Sequence, residues 1–253
     1  MKTIRNLIAI SILSITALII GYRMIPPKKE RNNFKAIIFD MDGTIINTDH
    51  LWKAANRPIL DEFAPHLTLS EKDLLVGAFK HLTFYEIWTI IQKISSTEMS
   101  LRELGDLNTT HVERMYETDG ISFIPHFDTF HSKVKTLDLK CAIATSSQKR
   151  TVDIILRAVP LEDYFGEHIY HVDHVNKAFK PNPAVYLHAA LMLEVDPCDC
   201  IAIEDSLSGV KAAKAAGMYC IGINTGKNLT LLAQADQVVD CFSEIDIEKL
   251  LSK

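Results

Sequence analysis

The sequence predicts an α/β protein: a parallel sheet covered by helices on both faces, with an inserted all-helical subdomain and an apolar N-terminal helix. Three observations carry that reading. From Lys35 onward, short β-branched apolar runs alternate with helical patterns, as expected of strands buried on both faces. Residues 49–118 break the alternation, with several amphipathic stretches and no strand-like run. Residues 6–22 contain no charged side chain.

The N-terminal segment reads LIAISILSITALII over residues 7–20, after Lys2 and Arg5 and before Pro26-Pro27 and KKERNN. An uncharged run of this length sits at the lower limit for a membrane span. A cleaved signal peptide also begins with basic residues and an apolar core, but it needs a small-x-small site. Here Ala17 and Gly21 each have Ile two residues earlier. Arg23, Lys28, Lys29, Arg31 and Lys35 outweigh Lys2 and Arg5, and Lys and Arg favour the cytoplasmic side. Residues 1–32 are therefore expected to form an uncleaved membrane anchor and linker, with the remainder cytoplasmic. Export through a signal peptide is the alternative.

The first strand is Lys35–Asp40 (KAIIFD), a continuous apolar run ended by Asp and Gly. Amphipathic stretches follow at 50–63, 70–80, 83–95 and 101–117. They define a helical cap at 48–121, inserted into a core of 33–47 and 122–253, with hinges near Asn47–Asp49 and Asp119–Pro125. Leu139–Thr145 is the second strand, followed by a helix at 147–158. A helix at 184–193 leads into the third strand, Cys200–Glu204. The helix at 206–216 has Ser206 as N-cap and Gly217 as its stop. Tyr219–Ile223 and Gln237–Asp240 complete the strands. Strands alternating with helices in this way require a parallel sheet.

Composition narrows the class of function. Apolar residues are 47% and charged residues 23%, which excludes disordered and collagen-like chains. The net charge of −5 argues against a nucleic-acid partner. Cys141, Cys200 and Cys220 lie in apolar runs, the setting of free thiols in a reducing compartment. His168, His171 and His174 repeat every third residue. On a strand that step alternates faces, so no metal site is expected from them.

Ligands of open parallel sheets bind at the carboxyl ends of the strands. Here the first strand ends Asp40-Met41-Asp42-Gly43-Thr44, the second Thr145-Ser146-Ser147 and the third Glu204-Asp205-Ser206. Lys180 lies between the second and third in FKPNP. Carboxylates at Asp40 and Asp205 suit Mg²⁺, a hard cation that prefers oxygen ligands. A carboxylate is also a nucleophile toward phosphorus. Thr145 and Lys180 can bind the oxygens of a transferring phosphoryl group, and Asp42 can move protons.

FDMDGT at 39–44, ATSS at 144–147, Lys180 in KPNP and IEDSLSGVKAAKAAGM at 203–218 occur in that order. Together they resemble the haloacid dehalogenase superfamily, in the branch of phosphatases and β-phosphoglucomutases with a helical cap after the first strand. The resemblance spans about residues 34–240 and implies a Rossmann-like core. It implies Asp40 as nucleophile and Mg²⁺ ligand, and Asp42 as acid/base that also lends its backbone carbonyl to the metal. It implies Asp205 as the other carboxylate ligand, Glu204 in the metal shell, and Thr145, Ser146 and Lys180 as phosphate binders. The loop Gly77-Ala78-Phe79-Lys80 is similar to the family's specificity loop, which makes Lys80 a candidate substrate contact. β-Phosphoglucomutases carry a His early in the cap; the matching place here is near Trp52, and His50 falls two residues early. The resemblance thus implies a Mg²⁺-dependent phosphatase of small phosphorylated metabolites such as sugar phosphates, and the chain is expected to be a monomer. A phosphomutase, or a non-enzymatic membrane protein on the same fold, is the alternative.

Overall fold

The computed structural model describes residues 34–79, 82, 84–95 and 97–252. Six strands form one sheet: β1 (Ala36–Phe39), β2 (Lys140–Ala144), β3 (Ile169–Tyr170), β4 (Cys200–Glu204), β5 (Tyr219–Ile223) and β6 (Gln237–Val239). Their order is β3-β2-β1-β4-β5-β6, with every neighbouring pair parallel. Phe39 is in register with Ile143 of β2 and Ile203 of β4. Asp40 and Glu204 therefore leave the sheet at the same level. The strand order reverses direction at β1, which puts the mouth of the sheet there.

Between β1 and β2 lie α1 (Asp49–Phe63), α2 (Leu69–Phe79), α3 (Phe84–Ser95) and α4 (Leu101–Asp119). They share an apolar centre of Ile59, Leu60, Phe79, Trp88, Ile91 and Leu104. Ser100 and Glu103 start α4 with a capping box, each side chain accepting the other's backbone N–H. Leu104 of α4 packs inside the insert, whereas Val112 and Tyr116 join the core of the sheet. One rigid helix thus ties insert to core. The connecting segments run antiparallel: Ile46 bridges Phe123, and Asn47 N–H donates to Ser122 O at 2.8 Å.

The remaining helices are α5 (Phe127–Thr136), α6 (Lys149–Ala158), α7 (Leu161–Phe165), α8 (Ala184–Met192), α9 (Leu207–Ala215) and α10 (Ile247–Leu251). Side-chain alternation along β1 divides the core. Ile37 and Phe39 pack with residues of α5, α6, α7 and α10, while Ala36 and Ile38 pack with those of α8 and α9.

The predicted strands and cap helices correspond to observed elements, with ends shifted by one or two residues. β3, α5, α7 and α10 were not anticipated. The strand premise for the histidines needs correction, because β3 is only two residues long. His171 precedes a 3₁₀ turn, Val172–Val175, which brings the His171 and His174 rings to 3.9 Å. His168 stands apart, its Nδ1 2.9 Å from the Tyr170 hydroxyl. The apolar run at 6–22 and Lys80 lie outside the described residues. Among the described residues, no helix is long and apolar enough to cross a membrane.

His131 of α5 is buried among Phe127, Tyr164 and Phe165, and its Nε2 has no hydrogen-bond partner among the described residues. Burial, with Lys135 nearby, pushes its pKa from 6.5 down to about 4. The unfolded chain therefore takes up this proton first, so the native state loses stability as pH falls from 6.5 toward 4. His131→Phe should lose less stability over that interval. Denaturant midpoints at pH 7 and pH 4.5 test this; an unchanged difference between them would remove His131 as a cause.

Candidate active site

Asp40 follows β1 directly and is 7% exposed. Its Oδ1 accepts from Lys180 Nζ at 2.5 Å, and the same ammonium donates to Glu204 Oε1 at 2.6 Å. Tyr186 of α8 also donates to Glu204 Oε1, at 2.8 Å. Ser206 donates to Glu204 Oε2 through its backbone N–H and its hydroxyl, at 3.3 and 3.1 Å. Glu204 therefore spends both oxygens on neighbours. Gly209 lets it lie there, since a Cβ at that position would sit within 2.0 Å of the Glu204 carboxylate.

Asp205 approaches from the end of β4, its Oδ1 accepting from Thr44 Oγ1 at 3.2 Å. Gly43, at φ +81°, makes room for it: a Cβ there would meet Asp205 Oδ2 at 2.4 Å. Carboxylate oxygens of Asp40, Glu204 and Asp205 lie within 4.8 Å of one another. One buried ammonium, bonded to Asp40 and Glu204, thus stands against a cluster of three carboxylates. Burial raises the pKa of Asp40 to about 7; Lys180 pulls it down and Glu204 pushes it up. Burial and the charge of Asp40 raise Asp205 well above the usual carboxylate range. Oxygen donors carrying excess negative charge fit a small divalent cation such as Mg²⁺. Asp40 and Asp205 face the cavity and are the residues that would hold it.

Asp42 is held on the other side of the turn. Its Oδ1 accepts from Thr48 Oγ1 at 2.9 Å, Trp52 Nε1 at 3.2 Å and Tyr116 Oη at 2.7 Å. Its Oδ2 accepts from Ser147 Oγ at 2.8 Å. Three of these donors come from the hinge and the insert. Trp52 thus occupies the place near which a mutase-type histidine was sought, and His50 is exposed.

Thr145 is buried at the end of β2, and its Oγ1 accepts the Ser147 N–H at 3.0 Å. Ser146 Oγ accepts the Lys180 N–H at 3.3 Å, which docks the FKPNP loop against the end of β2. The Lys180–Pro181 peptide is cis. Asp40, Asp42, Thr145, Ser146, Lys180 and Asp205 all border one cavity of about 310 Å³, lined on its far side by residues of the insert. Glu204 stands behind it, acting through Lys180. The sequence reading did not single out Tyr116, Ser147 or Tyr186 for the site. Ser147 was visible in ATSS, whereas nothing local marks Tyr116 or Tyr186.

A family model described as haloacid dehalogenase-like hydrolase matches residues 37–223, and the chain belongs to that family. It is a phosphoric monoester hydrolase, in keeping with the phosphatases among its relatives. It is 30% identical over 221 residues to the β-phosphoglucomutase of Bacillus subtilis (strain 168), covering 85% of this chain and 93% of that protein. It is 28% identical over 193 residues to the fructose-1-phosphate phosphatase YqaB of Escherichia coli (strain K12), covering 75% and 96%. The crystal structure of an HAD hydrolase, family IA, variant 3, from Entamoeba histolytica HM-1:IMSS shares the fold. Its TM-score is 0.73 at 24% identity, over 87% of this chain and 98% of that one.

Proposed function

We propose that this chain is a Mg²⁺-dependent phosphatase of small phosphorylated metabolites, of sugar-phosphate size, working through an aspartyl-phosphate on Asp40. The observation that carries the proposal is the Asp40 carboxylate at the cavity edge, set between Lys180 and Asp205. An Asp40 oxygen attacks phosphorus, forming the acyl phosphate as the ester P–O bond breaks. Asp42, once its hinge contacts open, delivers a proton to the departing alkoxide. It then takes a proton from water as that water attacks phosphorus, releasing phosphate and restoring the Asp40 carboxylate. Thr145, Ser146 and Lys180 hold the phosphoryl oxygens and balance their charge. When bound, Mg²⁺ supplies charge neutralisation to the phosphoryl group. Trp52 beside Asp42, in place of a histidine, supports hydrolysis over a mutase.

Chelator should abolish phosphate release, Mg²⁺ should restore it, and Ca²⁺ should inhibit, because the larger ion accepts more ligands and looser geometry. Mg²⁺ should also raise the melting temperature of the wild type by relieving repulsion among the buried carboxylates. Asp205→Asn should lose most of that rise. Full activity in excess chelator would end the metal reading.

We also propose that residues 6–22 anchor the chain uncleaved, with the catalytic part cytoplasmic, on the charge asymmetry of the sequence. Mass spectrometry of the native N-terminus and protease access in sealed vesicles test this. A mature chain beginning near residues 18–26 would point to export instead.

A further inference from the structure

We infer that Tyr186 is a positioning residue for phosphoryl transfer: its hydroxyl shares Glu204 with Lys180 and so keeps the ammonium poised between Glu204 and Asp40. This rests on the phosphatase reading above. Tyr186 is fully buried and takes no part in the steps proposed there. It does not border the cavity, so it acts through its neighbours and not on the ester.

The KPNP loop brings the first turn of α8 behind Lys180. Lys180 Nζ lies 4.7 Å from the Tyr186 ring centroid and donates to Tyr186 Oη at 3.4 Å. The same hydroxyl donates to Glu204 Oε1 at 2.8 Å. An ammonium has three N–H groups. Here they serve Asp40 Oδ1 at 2.5 Å, Glu204 Oε1 at 2.6 Å and Tyr186 Oη at 3.4 Å. A phosphoryl oxygen reaches Lys180 only by displacing one of the three. The long bond to a neutral oxygen is the weakest, and it is the one given up.

Tyr186 keeps its bond to Glu204 when this happens, and that bond does the positioning. With the hydroxyl in place, Glu204 Oε1 has two donors. Without it, the ammonium is its sole donor among the described residues. Glu204 is not free to turn, because Ser206 holds Oε2 through its backbone N–H and its hydroxyl, and the carboxylate is wedged over Gly209. The adjustment therefore falls on Lys180, which moves toward Glu204 and away from Asp40, where phosphorus arrives. Charge compensation at the phosphoryl group counts most in the transition state, so loss of the hydroxyl lowers kcat more than it raises KM.

The test is Tyr186→Phe in the full chain with Mg²⁺, assayed by phosphate release from p-nitrophenyl phosphate. Each variant is first checked for an intact melting transition above the assay temperature. kcat should fall about tenfold with KM within about twofold of wild type. Inhibition by vanadate, which mimics five-coordinate phosphorus, should weaken about tenfold, and inhibition by inorganic phosphate by less than about threefold. In a Glu204→Gln background the same substitution should cost less than about threefold, because a neutral amide no longer competes for the ammonium. An equal loss in both backgrounds would mean that Tyr186 only fills space, and would overturn the inference. So would an unchanged kcat in folded Tyr186→Phe, or a loss confined to KM; all three leave the phosphatase reading in place. No phosphate from any monoester, or turnover kept by Asp40→Asn, overturns the phosphatase reading and this inference with it.

Discussion

Asp40→Asn should abolish turnover, with kcat falling by about four orders of magnitude or more. The amide is a poor nucleophile, and no other carboxylate can replace it. Glu204 is tied to Lys180, Tyr186 and Ser206, and Asp205 is wedged against Gly43 and Thr44. The fold should survive. Asn is nearly isosteric, and its carbonyl oxygen can still accept from Lys180. The substitution also removes one of three clustered carboxylates, so the metal-free variant should melt no lower than wild type. Its stabilisation by Mg²⁺ should shrink at the same time. The measurement is single-turnover phosphate release, alongside melting with and without Mg²⁺. Retention of more than about a tenth of the wild-type rate, the scale on which a lost nucleophile would register unmistakably, would exclude Asp40 as the attacking group.

Lys180→Met should damage both stability and catalysis. Lys180 is 5% exposed and neutralises two carboxylates at once, Asp40 at 2.5 Å and Glu204 at 2.6 Å. Removing one partner of a buried ion pair costs about 3–5 kcal/mol, because the remaining charge is left without compensation. The pH dependence has a definite sign. Burial already raises the pKa of Asp40 from 3.8 to about 7 with Lys180 present, and its loss drives that value further up. A carboxyl whose folded pKa is raised binds its proton more readily in the native state than in the unfolded one. The stability deficit relative to wild type is therefore full only above the variant's own Asp40 pKa, which lies above 7, and shrinks as pH falls toward 7. The double variant Lys180→Met/Glu204→Gln should recover much of the stability at pH 7 yet remain about 10²–10³-fold slow, since the phosphoryl-binding ammonium is still missing. A single variant as stable as wild type at pH 7 would show that Lys180 does not neutralise these groups.

Much of the fold was legible because strands buried on both faces need unbroken apolar runs, and β1, β2, β4 and β5 have them. β3 went unseen because two residues make no pattern. α5 and α7 went unseen because their apolar residues, among them Phe127, Phe130 and Phe165, sit in short stretches punctuated by His, Asp and Pro. The strand premise for the histidines failed for a related reason. It assumed a strand where the chain turns into a 3₁₀ helix, and a three-residue step on such a turn brings side chains onto one face.

At the site, Asp40, Asp42, Thr145, Lys180, Glu204 and Asp205 announce themselves through residue type and position at the ends of apolar runs. Their chemistry is local: a carboxylate at the end of a buried strand already suggests a ligand or a nucleophile. The partners that hold Asp42 are a different matter. Ser147 is 105 residues away and Tyr116 is 74 residues away, with no pattern linking either to it. Tyr186 behind Glu204 reads as an ordinary aromatic of an apolar helix. These pairings exist because the sheet places β1 between β2 and β4, and because α4 reaches from the insert into the core. Strand order and helix docking are set by the summed burial of many apolar side chains. The identity of each polar contact across those surfaces is therefore a consequence of packing, which a linear pattern does not encode.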